Sequence, residues 1–270
     1  MPKQIKNNQP IGVFDSGLGG LTVVKQIVKC LPHENIVYFG DTARVPYGTK
    51  SKASIVRFSK ENTKILLKHK VKAVVVACNS SSAYALKEIK KIFKGPVIGV
   101  IEPGASGAID KTNNERIGVI ATSATVASKA YPQAIKKKNN RIKVYQQACP
   151  LFVPIIEEGW SNKPVTKTVA REYLKGLKKQ KVDTLILGCT HYPLIKNILA
   201  KVDSKIKLID SAQMVARSLK ENLIGNNLLS TSKRKGKQVF LVSDKPQDFK
   251  RIAKGFLGQE IKSIKEVTYV

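Results

Sequence analysis

Short apolar runs alternate with longer stretches of helical period along almost the whole chain. Ile11–Asp15 reads as a short buried strand, Leu21–Cys30 as the helix after it, and Asn35–Gly40 as the next strand. Ser51–His69 places Ile55, Phe58, Thr63, Leu66 and Leu67 along one helical face. Lys72–Cys78 is the plainest buried strand, followed by a helix over Ala83–Phe93 and a strand over Pro96–Val100. The cycle resumes with strands near Arg116–Ala121, Ile142–Gln147, Thr184–Gly188 and Ile206–Ile209, and with helices between them, of which Val165–Lys179 and Met214–Leu223 are the clearest. The tail adds a strand, Gln238–Val242, and a helix after Pro246. Strands that are apolar on both faces and separated by helices predict an α/β fold of parallel sheets covered on both sides.

A weak internal repeat runs through this pattern. Ile11-Gly12-Val13 returns as Ile117-Gly118-Val119, an offset of 106, and Val74–Ser82 has a counterpart in Leu185–Pro193, an offset of 111. The second pair is an apolar strand ending in a cysteine, then small polar residues, then a helix. The repeat predicts two similar α/β units, each presenting one cysteine at the carboxyl end of a strand, where open α/β sheets hold ligands.

Composition narrows the class. A length of 270 residues, 42% of them hydrophobic and 25% charged, suits one large globular domain or two of ordinary size. No apolar run approaches the ~20 residues that span a bilayer, and Met1–Pro10 lacks the apolar core of a secretory signal, so a cytoplasmic location is expected. The net charge is 48 − 19 = +29. It is compatible with a nucleic-acid partner and equally with a solvated lysine coat. Only eight of the 48 cations are arginine, and no aromatic residues interleave with the lysine clusters. The four cysteines, Cys30, Cys78, Cys149 and Cys189, form no C-x-x-C pair, so neither a zinc site nor a disulfide framework is expected.

Two of those cysteines sit where chemistry is easiest. Cys78 closes an aliphatic strand and precedes Asn79, Ser80, Ser81 and Ser82, a polar group suited to a helix start, where backbone N–H groups favour an anion or a thiolate. Cys189 lies between Gly188 and Thr190-His191-Tyr192, with Pro193 suited to a first helical turn and His191 near enough to tune the thiol. Phe14-Asp15-Ser16-Gly17-Leu18-Gly19-Gly20 places a carboxylate at a strand end before a glycine turn. Gly17 and Gly19 fit the dinucleotide fingerprint and Asp41 stands where a ribose-binding acid belongs, but Thr22 occupies the third glycine position. Arg44–Gly48 is a turn, and Glu157-Glu158-Gly159 closes a helix. Two thiols on separate units suit racemisation. A proton leaves one face of a carbon and another returns to the opposite face, so two facing bases, one thiolate and one thiol, can exchange roles each turnover.

Four segments, F-D-S-G-L-G-G-L-T-V, G-D-T-A-R-V-P-Y-G, V-V-V-A-C-N-S and L-G-C-T-H-Y-P-L, resemble glutamate racemases in sequence and in order, over about Ile11 to Asp210. The resemblance implies two pseudosymmetric α/β domains, residues 1–98 with 212–270 and residues 99–211, with the active site in the cleft between them. It implies interconversion of L- and D-glutamate for peptidoglycan synthesis, with no cofactor and no metal, and a homodimer. Cys78 and Cys189 would be the two bases, Cys78 acting on D-glutamate and Cys189 on L-glutamate, assisted by Asp15, His191 and Glu157. Asp15, Ser16, Pro46, Tyr47, Gly48, Asn79, Ser80, Thr122, Thr125, Thr190 and His191 would bind substrate. The family usually carries threonine at position 80 and glycine at position 121, where this chain has Ser80 and Ala121. Other readings remain at this point: a cysteine hydrolase with Cys189 and His191, an aspartate racemase, or a protein whose charge engages nucleic acid or DNA gyrase.

Overall fold

Every residue of Ile11–Asp15 (β1) is buried, as its aliphatic sequence requires, and β1 sits in the middle of a parallel sheet. The computed structural model of the protein describes residues 5–269, so part of the Met1–Pro10 segment lies outside the described residues. β1 leads into α1 (Leu21–Cys30), then β2 (Ile36–Gly40), α2 (Lys52–Lys68), β3 (Ala73–Val76), α3 (Asn79–Ile92) and β4 (Val97–Gly99). After α4 (Ile101–Ile109) the pattern begins again: β5 (Arg116–Ala121), α5 (Ser123–Ser128), α6 (Ala130–Lys138), β6 (Lys143–Ala148), α7 (Phe152–Glu157), α8 (Pro164–Lys179), β7 (Thr184–Gly188), a 3₁₀ turn at Tyr192–Ile195, α9 (Lys196–Val202) and β8 (Lys207–Asp210). The chain returns through α10 (Ser211–Gly225), β9 (Gln238–Val242), α11 (Pro246–Leu257) and β10 (Ile264–Glu266).

The repeat reappears as topology. One sheet runs β10-β9-β2-β1-β3-β4 and the other β6-β5-β7-β8, so β2-β1-β3-β4 and β6-β5-β7-β8 have the same order, all parallel. Ile11 pairs with Ile36 and Ala73, and Ile117 pairs with Val144 and Thr184. The tail joins the first sheet, where Gln238 pairs with Ile36. α10 packs against both α1 and α4 and so ties the two halves together.

Two local differences from the sequence pattern matter. α3 begins at Asn79 rather than Ala83, because Cys78 itself takes the extended cap conformation (φ −64°, ψ 124°) and the polar residues fill the first turn. Pro193 lies in the first turn of the 3₁₀ segment Tyr192–Ile195, and the α-helix follows only at Lys196. Helix α4 carries Pro103, Gly104 and Gly107, which mask its period in the sequence. At the base of β3, Lys72 is fully buried and paired with Glu34 at 2.5 Å.

Candidate active site

The Cys78 sulfur belongs to the cap of α3, at the carboxyl end of β3, beside the open backbone N–H groups of the helix start. Cys189 follows β7 at the equivalent place in the second sheet. Both line one narrow cavity between the halves. Ser16, Pro46, Tyr47, Gly48, Asn79 and Ser80 line it from the first half, and Thr122, Thr190 and His191 from the second.

Asp15, Thr125 and Glu157 stand one layer behind. Asp15 is fully buried, and its Oδ2 accepts the N–H groups of Gly20 at 3.0 Å and Gly17 at 3.3 Å. Burial pushes its carboxyl up, against the pull of the His191 charge and those N–H groups. Thr125 Oγ1 lies 3.0 Å from Thr122 Oγ1 and 3.3 Å from Ser80 Oγ, and Ser80 Oγ is 3.0 Å from Thr122 Oγ1. The Ser80 hydroxyl therefore makes its contacts across the halves without the usual threonine methyl. Ala121 is buried at the end of β5, directly before Thr122, and does not itself line the cavity.

The two thiols have different surroundings. Burial, followed by the Asp15 charge, pushes Cys78 up to about 12, only partly offset by donors from Ser81 and Ser16. His191 Nδ1 is 3.8 Å from Cys189 Sγ, and Nε2 is 2.9 Å from Glu157 Oε1. Burial opposes a charge on His191, but its bonds to Cys189 and Glu157 win and lift it to about 10. The site thus pairs a protonated thiol on one side with a thiol facing an imidazolium on the other. Phe256 of α11 packs its ring edge-on against the buried His191, with centroids 5.3 Å apart.

Close approach of the halves depends on two glycines. A Cβ on Gly19 would fall 2.2 Å from Thr190 Oγ1, and one on Gly48 would fall 2.6 Å from Thr122 Cβ. The glycine turn after β1 therefore seats the second half rather than a pyrophosphate. Asp41 is fully buried, with Oδ2 accepting from Tyr47 and Arg44 and Oδ1 from Ser243 and Tyr269, so neither oxygen is free for a ribose. The dinucleotide reading is thereby excluded. Among the described residues no group of three or more His, Cys, Asp or Glu side chains could hold a metal.

Three contributors escaped the sequence reading. Val45 and Val153 add apolar walls to the cavity. Tyr131 of α6 donates to Asn79 Oδ1 at 2.7 Å, which turns the Asn79 amide and leaves its buried Nδ2 without a protein acceptor, a donor suited to a carboxylate. Nothing in the local pattern around Tyr131 marks it, since its partner lies 52 residues earlier. Cys149, also buried, is pushed up by burial and donates to the Gln147 carbonyl at 3.6 Å, an inert thiol outside the cavity lining.

Residues 11–219 match the family model described as Asp/Glu/Hydantoin racemase. The chain is 48% identical over 259 residues to the glutamate racemase of Geobacter metallireducens, covering 96% of each chain. It is 46% identical over 270 residues to that of Chlorobaculum tepidum, covering 99% of each. The crystal structure of glutamate racemase from Francisella tularensis in complex with D-glutamate superimposes with a TM-score of 0.92 at 45% identity, covering 97% of this chain and 98% of that one.

Proposed function

The chain belongs to the Asp/Glu/Hydantoin racemase family, and from that premise we propose that it interconverts L- and D-glutamate through Cys78 and Cys189. The observation that carries this reading is that both sulfurs line one cavity, each at the end of an equivalent parallel strand.

From L-glutamate, the Cys189 thiolate, paired with the His191 imidazolium, takes the α-proton. The electron pair left on the α-carbon spreads into the carboxylate, which the α3 N–H groups, Asn79 Nδ2 and the Ser80 and Thr122 hydroxyls stabilise as charge grows. The Cys78 thiol then delivers its proton to the opposite face, giving D-glutamate and a Cys78 thiolate. The reverse reaction starts from that state, with Cys78 as base and Cys189 as acid. Asp15 and Glu157 act through their neighbours: Asp15 helps keep Cys78 protonated, and Glu157 holds His191 charged.

The same reading makes residues 1–98 with 212–270 and residues 99–211 two domains hinged about the cleft. It places the enzyme in the cytoplasm as a homodimer that supplies D-glutamate for peptidoglycan. Among the described residues no helix is long and apolar enough to cross a membrane.

In heavy water the wild-type protein should wash deuterium into the α-position of either enantiomer, and a cysteine hydrolase should not. Cys78→Ser and Cys189→Ser should each lose racemisation. Turnover at the wild-type rate in either variant would overturn the assignment.

A further inference from the structure

Asp41, the acid directly after β2, has no part in the proton transfers above, yet its buried carboxylate is one of the most heavily bonded groups in the protein. Oδ2 accepts from the Tyr47 hydroxyl and from Arg44 Nε at 2.8 Å. Oδ1 accepts from Ser243 Oγ at 3.1 Å and from the Tyr269 hydroxyl. The Asp41 N–H donates to the Asp15 carbonyl at 3.1 Å. The donors come from three places: the 44–47 turn, the residue after β9, and the end of the tail. Arg44 is itself clamped, bonded to Glu61 and to Asn62, with its guanidinium 4.1 Å from the Phe58 ring centroid and 3.7 Å from that of Tyr269.

The other end of this network is the cavity wall. Tyr47 lines the cavity, but its one hydroxyl proton is committed to Asp41, and its oxygen accepts from Asn62 Nδ2 at 3.0 Å. Burial and the Asp41 charge push the phenols of Tyr47 and Tyr269 up, so both remain donors. Tyr47 therefore contributes its position rather than its hydroxyl. It sets Pro46 before it and Gly48 after it, and Gly48 abuts Thr122 of the second half.

We infer that Asp41, seated by Ser243 and Tyr269 of the C-terminal segment, is a positioning residue that holds the Pro46–Gly48 wall in its substrate-binding place. The inference rests on the proposed function in taking that wall as a substrate contact. It makes Tyr269, 228 residues from Asp41, part of how the site is held. A buried carboxylate needs its donors, so removing one lets Asp41 shift and carries Tyr47 with it.

The test uses Tyr269→Phe, which deletes one donor on a residue outside the cavity, and Ser243→Ala, which deletes the other Oδ1 donor. Each is measured for KM and kcat from both enantiomers, for Tm, and for backbone hydrogen exchange across residues 45–50 in substrate-free protein. Each variant should raise KM by about tenfold, the effect of losing one charge-assisted hydrogen bond, with kcat within about twofold of wild type. Exchange across 45–50 should accelerate. Tyr269→Phe combined with Tyr47→Phe should raise KM no further than Tyr47→Phe alone, because both act through Asp41. Unchanged exchange across 45–50 in both variants overturns the inference, as does a fall in Tm with KM unmoved, which would mark a purely structural network. If the wild-type protein fails to racemise glutamate, the proposed function falls, and the exchange measurement alone decides whether Asp41 and the tail position this wall.

Discussion

Replacing Glu157 with glutamine tests the pairing proposed to make Cys189 a base. Glu157 Oε1 lies 2.9 Å from His191 Nε2, with the histidine side chain 3% exposed and the carboxylate 28% exposed. Two unit charges at that distance attract by ~1.4 kcal/mol in bulk water and ~6 kcal/mol at an effective dielectric of about 20. The partial exposure of Glu157 and the hydrogen bond that glutamine retains put the loss nearer the lower limit, about 1.5–3 kcal/mol. At ~1.36 kcal/mol per pKa unit, His191 should fall by about one to two units from its position near 10. His191 is raised above its ordinary 6.5, so its charge stabilises the fold fully below pH 6.5 and loses that effect as pH rises through about 10. In Glu157→Gln the loss should be complete at lower pH, about 8–9. The same shift should appear in catalysis. The alkaline limb of the kcat/KM profile, which reports the free enzyme, should move down by about one to two units. L- and D-glutamate have equal free energies, so kcat/KM must fall equally from either enantiomer, and a difference between directions would indicate an assay artefact. The measurement is a pH–rate profile from pH 6 to 10.5 for both proteins, with urea unfolding at pH 7 and pH 9 as the stability readout. An alkaline limb that stays in place in Glu157→Gln would refute the argument that Glu157 holds His191 charged.

Three further outcomes follow from particular contacts. Lys72→Met leaves Glu34 buried and unpaired, so urea unfolding should show a loss of about 3–5 kcal/mol, which Lys72→Met with Glu34→Leu should largely restore. Restoration failing in the double variant would show that bonds outside the ion pair carry the effect: those of Lys72 to the Leu228 and Asn7 carbonyls and that of the Ser230 N–H to Glu34. Gly48→Ala brings a methyl to 2.6 Å from Thr122 Cβ, so the halves must part; KM should rise at least tenfold with kcat also reduced, and wild-type kinetics would show that the seam can yield. Tyr131→Phe frees the Asn79 amide, and a rise in the D-glutamate Kd by about five- to tenfold, read by calorimetry, is expected from one lost hydrogen bond; an unchanged Kd would remove Asn79 orientation from the binding account.

Much of the fold, and the two cysteines proposed here as bases, were legible in the chain itself. Periodicity is local, so the aliphatic runs at Ile11–Asp15 and Thr184–Gly188 appear as strands at the same bounds, and the recurrence of a cysteine after such a run marked Cys78 and Cys189. The repeat at offsets near 106 and 111 likewise became two sheets with the same strand order. Helices broken by proline and glycine, such as α4, were hidden because their packing, not their propensity, makes them helical.

What the linear pattern could not supply is which groups meet. The contacts that define the site join residues far apart in the chain: Glu157 with His191 across 34 residues, Tyr131 with Asn79 across 52, Tyr269 with Asp41 across 228. An acid that looked like a ribose ligand from its place after β2 proved to be an enclosed anchor, because the tail returns to the first sheet and covers it. Local sequence settles whether a segment is strand or helix and what chemistry each strand end offers. The packing of two sheets around one cavity settles the rest, since burial and neighbouring charges, which push the Cys78 thiol up and set Cys189 beside an imidazolium, exist only once distant segments come together.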